Sequence, residues 1–265
     1  MVKIFIDPGH GGSDPGAVAN GLSEKTLTLA IGLALRDYLL KNYQNVSVRM
    51  SRTSDQTVSL NSRTQTANQW GADLYLSIHV NAGGGSGFES YIWNGQFTKK
   101  SRTQQVRSTI HQTIVNTKNW QDRGQKEANF HVLRETRMSA VLTENGFIDH
   151  QSDARAMRGD NWVENAAIAH AVGIEKAFQL KRQDNDLADD PLYRVVVGSF
   201  REDQNARSRV STLQRSGYEA YILPYAQQGQ RYYRVIAGAF YQKQNAEKRL
   251  DSLKKDGFDG FLVVV

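Results

Sequence analysis

"VKIFIDPGHGGSDPGAVANGLSEKTLTLAI", residues 2–31 of a 265-residue chain, runs from an apolar stretch through a glycine-rich turn into a helical pattern. Its first five residues are a short apolar run followed by turn residues, which predicts a buried strand. From Glu24 onward Leu27, Ile31, Ala34, Leu35, Tyr38 and Leu39 share one helical face, and Ser23 is the predicted N-cap. His10 leaves the strand directly, where an α/β sheet presents its ligands. Glu24 stands three residues before Leu27 and seven before Ile31, on the face that turns inward. An inward carboxylate at a helix start needs a partner, either the helix's own dipole and free N–H groups or a cation.

On either side of this stretch, strand and helix signals alternate over residues 1–180. That alternation predicts an α/β domain, a mixed, mostly parallel sheet flanked by helices. VSVRMSR (46–52) alternates like a strand, Leu60 to Trp70 reads as a helix stopped by Gly71, and DLYLSIHV (73–80) is a second buried run. Gly83 to Gly87 form a flexible loop before the strand FESYIW (88–93). Residues 101–117 read as a helix, NFHVLR (129–134) and AVLTE (140–144) as strands, and 161–178 as a last helix capped by Asn161.

Residues 181–191, KRQDNDLADDP, have linker composition, and after them the chain repeats itself. YRVVVGSF at 193–200 returns as YRVIAGAF at 233–240, and the match continues without gaps to 223 and 263, an offset of 40 residues. Each copy reads strand, glycine turn, amphipathic helix, glycine, strand. Two such halves over 192–265 predict a small α+β domain of ferredoxin-like form. On the first strand of each half, Arg194 and Val196 with Arg234 and Ile236 are expected on the face opposite Tyr193, Val195 and Val197. On residues alone, a dimerisation module is the alternative reading of this domain.

Composition narrows the chemistry. The chain has no cysteine, so disulfides, zinc knuckles and thiolate nucleophiles are excluded, and a metal site must draw on His, Asp and Glu. The net charge of +6 is spread among acids with no Lys/Arg block, so no nucleic-acid partner is expected. No stretch approaches the roughly 20 apolar residues of a membrane span. The opening MVKIFIDPGH reads as a first strand with no room for a signal peptide, so synthesis in the cytoplasm is expected.

His79 ends the apolar strand DLYLSIHV, so two histidines leave two buried strands toward one crevice. With the inward Glu24 they form the His₂Glu donor set of catalytic zinc sites, which keep a fourth position open. Such a site needs a general base, and Glu144, closing AVLTE before Asn145-Gly146, is either that base or a turn-forming acid.

DPGHGG, Glu24 within GLSEKTLTLAI, SIHVNA and VLTENGFID together resemble the zinc-dependent N-acetylmuramoyl-L-alanine amidases of the amidase 3 type, over residues 1–178. The resemblance implies one Zn²⁺ held by His10, Glu24 and His79, and Glu144 as catalytic carboxylate. It implies as substrate the amide joining muramic acid to L-alanine in bacterial peptidoglycan, with action at the cell wall as an autolysin or an endolysin. Met138-Ser139-Ala140 departs from the family, which commonly has proline before the last strand. Residues 193–265 resemble the SPOR repeat, which implies binding to glycan strands stripped of their stem peptides; a monomer is expected. Val196 and Ile236 stand where that repeat often carries glutamine.

Two rival functions follow from the same residues. A zinc carboxypeptidase or endopeptidase would need a group for a terminal carboxylate, with Arg63, Arg123 and Arg134 as candidates; a non-catalytic wall-binding protein would carry the site as a vestige. Among the other histidines, His111 is expected exposed, His150 in a turn and His170 in the core, while His131 with Arg134, and Asn81, are expected along the cleft.

Overall fold

A computed structural model describes residues 1–118, 120–159, 162–183, 192–227, 230–240 and 243–264. The chain separates into two compact units, Met1–Ala156 with Val163–Asp184, and Met157–Trp162 with Asn185–Val265. The first begins with β1 (Val2–Pro8), a short hairpin of β2 (Val18–Ala19) and β3 (Leu22–Ser23), α1 (Glu24–Asn42) and β4 (Val46–Met50). It continues through α2 (Leu60–Trp70), β5 (Leu74–Asn81), β6 (Phe88–Trp93), α3 (Lys100–Lys118) and β7 (Asp122–Ala128). It closes with α4 (His131–Arg134), β8 (Ser139–Phe147), α5 (Gln151–Met157) and α6 (Trp162–Phe178).

Six strands make one sheet in the order β4-β1-β5-β8-β6-β7. Neighbours run parallel except for β6 and β8, which meet antiparallel. Ile4, Phe5, Ile6, Leu74, Tyr75, Leu76 and Ile78 are all 0% exposed. Both faces of the central strands are therefore covered, which is why their sequences are continuous apolar runs. Helix α1 packs on β1, β4 and β5, and α3 on β6 and β8. On the opposite face Phe5, Tyr75 and Leu142 meet Ala67 of α2 and Val132 and Leu133 of α4. The strand ends that carry His10, His79 and Glu144 thus emerge from a sheet held rigid from both sides.

The structure corrects several local expectations. NFHVLR forms no strand: His131–Arg134 is a single helical turn that buries Val132 and Leu133. The edge strand lies earlier, at β7, whose polar sequence DRGQKEA suits a half-exposed edge and shows no apolar alternation. Strand β8 runs on past Glu144 because β6 pairs with it as far as Asn145. Ser23 occupies the N-cap position of α1, but its hydroxyl donates to the Pro15 carbonyl and caps nothing. The Asn161 cap and most of the 181–191 linker lie outside the described residues. Lys181 to Gln183 are held against the end of α1, where the Gln44 N–H donates to the Lys181 carbonyl and the Gln183 N–H to that of Asn42.

The second unit contains β9 (Tyr193–Phe200), α7 (Asp203–Arg215), β10 (Tyr221–Gln227), β11 (Gln230–Phe240), α8 (Lys243–Lys255) and β12 (Phe261–Val264). Its antiparallel sheet has the order β10-β11-β9-β12, the ferredoxin-like arrangement of two βαβ halves. The core repeats with the sequence: Val195, Val197, Ala206 and Leu213 are matched 40 residues on by Val235, Ala237, Ala246 and Leu253. Arg194, Val196, Arg234 and Ile236 alternate away from that core, as the two-residue period requires. On that other face the Arg234 guanidinium lies 3.7 Å from the Tyr225 ring centroid. Among the described residues no helix is long and apolar enough to cross a membrane.

Candidate metal centre and its cleft

The turn after β1 directs many backbone carbonyls inward, and two buried arginines answer them. Arg52 donates to the carbonyls of Pro8 (3.0 Å), Gly9 (2.8 Å) and Lys25 (2.8 Å). Arg63 donates to the carbonyls of Pro8 (2.8 Å) and His10 (2.7 Å) and pairs with Asp7 at 2.7 Å. Burial lowers the Arg52 guanidinium to about 10, with the positive charge of Arg63 acting in the same direction. These clamps hold His10 at a φ of +62°, a conformation costly for a residue with a side chain. Gly9 and Gly16 let the rings close in: a Cβ at Gly9 would stand 2.3 Å from the His79 ring, and one at Gly16 2.6 Å from the Glu24 carboxylate.

The two histidines and Glu24 come together, with ligand atoms within 4.8 Å of one another. His10 Nε2 lies 3.1 Å from Glu24 Oε2, and His79 Nδ1 lies 3.0 Å from Glu24 Oε1. The backbone N–H groups of Ala17 and Val80 donate to the same two oxygens, at 2.9 and 3.0 Å. Burial acts to raise the Glu24 carboxyl, but the hydrogen bonds from His10 and His79 outweigh it and hold it far below the ordinary carboxylate range. On its outer side, His10 Nδ1 meets Asp14 Oδ2 at 2.8 Å, a carboxylate that fixes the ring and leaves Nε2 facing inward.

Glu144 is brought to the same place by register. It pairs with His79 across β5 and β8, and with Glu89 across β6 and β8. Burial pushes its carboxyl well above the ordinary range, and the negative charges of Glu24 and Glu89 push the same way. Its Oε2 is shielded from solvent and has no hydrogen-bond partner. His10, Glu24, His79, Asn81, His131 and Glu144 all line one cleft of about 530 Å³.

The remaining candidates divide. His111 is buried, not exposed, because both ring nitrogens find partners, Ser90 Oγ and Asp122 Oδ1, each at 2.8 Å. Ser90 and His111 are fully buried and only Asp122 reaches the surface, so this serine–histidine–aspartate line braces β6 against α3 and offers no accessible nucleophile. His170 is a core residue bonded to Thr143 and the Ala166 carbonyl, and His150 lies beside Ser152 and Asp153 after β8. Arg134 pairs with Glu135 and Asn129 and lies outside the cleft wall. Arg63 is fully engaged in the clamp, which removes it as a receptor for a terminal carboxylate. Sequence reasoning missed Asp14, Arg52 and Glu89. The His10/Asp14 spacing was visible, but most partners of Arg52 and Glu89 lie in other elements, far away in the chain.

Residues 4–176 match the family model described as N-acetylmuramoyl-L-alanine amidase, Amidase_3. The chain belongs to that family. It is therefore an enzyme, a peptidoglycan amidase, and its residues 189–264 match the SPOR domain. A sporulation-specific N-acetylmuramoyl-L-alanine amidase of Bacillus subtilis (strain 168) is 53% identical over 223 residues, covering 84% of this amidase and 85% of the relative. The endolysin of Bacillus phage SPP1 is 39% identical over 184 residues, 68% of this chain and 67% of the endolysin. In fold, the crystal structure of an N-acetylmuramoyl-L-alanine amidase from Clostridium difficile 630 superposes with a TM-score of 0.64 at 34% identity, covering 67% of this chain and 97% of that one.

Proposed function

We propose that this amidase is zinc-dependent, with His10, Glu24 and His79 as the metal ligands and Glu144 as the catalytic carboxylate. The reading rests on one observation above all: two imidazoles and a carboxylate with ligand atoms within 4.8 Å, opening on a cleft that also holds Glu144. The donor set fits the metal, since two imidazole nitrogens and one carboxylate oxygen are a set zinc takes, and three protein ligands leave a fourth position for water or substrate. Bound there, zinc supplies a Lewis acid that polarises the scissile carbonyl and acidifies water.

The protein's own groups do the rest. Glu144 accepts a proton from the attacking water, whose oxygen bonds to the lactyl carbonyl carbon. As the carbon–nitrogen bond breaks, Glu144 returns that proton to the departing L-alanine nitrogen. Asp14 keeps the His10 ring oriented, and the arginine clamps keep the turn rigid.

The catalytic domain is residues 1–180 and the linker 181–191. Residues 192–265 bind peptidoglycan glycan strands freed of stem peptides, which are what the reaction leaves behind. The enzyme acts at the cell wall as a monomer. Digestion of purified peptidoglycan with and without chelator tests the reading. New L-alanine N-termini with intact glycan, abolished by chelator and restored by zinc, are expected. Freed D-amino acids would favour a peptidase instead, and no release at all a wall-binding protein.

A further inference from the structure

Beside the proposed catalytic carboxylate lies a cationic group that the reaction does not use. Glu89, opposite Glu144 in the pairing of β6 and β8, is only 2% exposed and carries four donors. Arg123 Nε and Lys126 Nζ both meet its Oε1, at 2.6 and 2.7 Å, while the Tyr91 hydroxyl and Asn81 Nδ2 engage Oε2. One carboxylate thus holds two cations; none of these three side chains lines the cleft itself, but Asn81, which bonds to Glu89, does, so the group stands directly behind the cleft wall. The Arg123 guanidinium is also stacked 4.7 Å from the ring centroid of Phe147, so its plane is fixed as well as its Nε. Its two Nη groups have no partner among the described residues, and the side chain is 31% exposed. A guanidinium pinned at Nε and over one face presents its Nη edge as a preorganised fork for a carboxylate.

We propose that Arg123, positioned by Glu89 and Phe147, binds a carboxylate of the substrate's stem peptide and so sets which peptidoglycan the enzyme prefers; this rests on the amidase reading above. Chemistry decides the side of the bond. Muramic acid's only carboxyl group is the acyl half of the scissile amide, so the glycan side offers no carboxylate. On the peptide side the nearest one is the free α-carboxylate of the D-glutamate that follows L-alanine, exposed because that residue is joined onward through its γ-carboxyl.

The test uses the full zinc-loaded chain and three muramyl tripeptides: one with D-glutamate, one with its α-carboxamide, and one with the α-carboxylate intact but the C-terminal carboxylate amidated. The wild type is expected to cleave the first and third alike and the α-carboxamide with a kcat/KM roughly tenfold or more lower, the scale of a charge-assisted pair. In Arg123→Gln the acid-to-amide ratio should collapse toward one, with Arg123→Lys in between. A wild-type ratio near one, or equal losses on both compounds in Arg123→Gln, would overturn the proposal. Discrimination against the third compound alone would move the carboxylate to the peptide's end and overturn the assigned position. Cleavage of none of the three by wild type would count against the amidase reading itself.

Discussion

The two units of this chain solve the problem of burial in opposite ways. In the C-terminal unit the core is aliphatic and aromatic and recurs at an offset of 40, so each half supplies the same contacts as the other. In the N-terminal unit the strand exits carry buried Asp7, Glu24, Arg52 and Arg63 and a histidine in a left-handed conformation. Local rules hold where only packing is required and fail where a chemical group must be held. Strain and clustered buried charge mark the site; regularity marks the scaffold, where Arg194, 1% exposed, is the exception.

The largest expected effect lies at the site itself. Glu144→Gln should bind zinc normally yet lower turnover on purified wall by roughly 10²- to 10⁴-fold, measured as released L-alanine N-termini beside metal content. Near-normal rates would remove Glu144 from its role. Next is the clamp: Arg63→Met leaves Asp7 buried without its cation and should destabilise the N-terminal unit by about 3–5 kcal/mol in chemical denaturation. A cost near zero would show that the polar strand exits are not what holds that unit's turn.

The regular unit is probed by symmetric truncations. Leu213→Ala and Leu253→Ala, equivalent positions that are both fully buried, should each cost about 2–5 kcal/mol in unfolding of the C-terminal unit while hydrolysis of a soluble muropeptide is unchanged. Widely unequal costs would break the equivalence of the halves. The last effect is absent at neutral pH and concerns His170, whose burial lowers its imidazole from 6.5 to about 4, against a hydrogen bond to the Ala166 carbonyl. Below pH 6.5 the unfolded chain takes up a proton that the folded one refuses. Stability from this site is therefore full above pH 6.5 and falls by about 3 kcal/mol in all as the pH drops toward 4. His170→Gln should flatten the stability profile over that interval, and an unchanged slope would assign it to other groups.

Much of this was legible in the sequence for physical reasons. VKIFI and DLYLSIHV are apolar without interruption because both faces of their strands are covered, so the exits carrying His10 and His79 could be located by reading alone. The 40-residue offset exposed the second unit's topology directly. What escaped lacked a local signal. Strand β7 is polar because it is an edge, and Val132-Leu133 is too short an apolar pair to distinguish a strand from one helical turn. The β2–β3 hairpin had its sign in Asn20-Gly21, both at positive φ in the turn, within a stretch read only as loop. Most instructive is His111, whose burial depends on Ser90 and Asp122 in other elements, partners that no periodicity reveals.

The metal centre is tested most directly by an anomalous-difference map at the zinc edge from crystals of the zinc-loaded chain. It should show a single strong peak ligated by His10 Nε2, Glu24 and His79 Nδ1, and that peak should vanish in His79→Ala. A zinc peak bound elsewhere, or one that persists in His79→Ala, would contradict it.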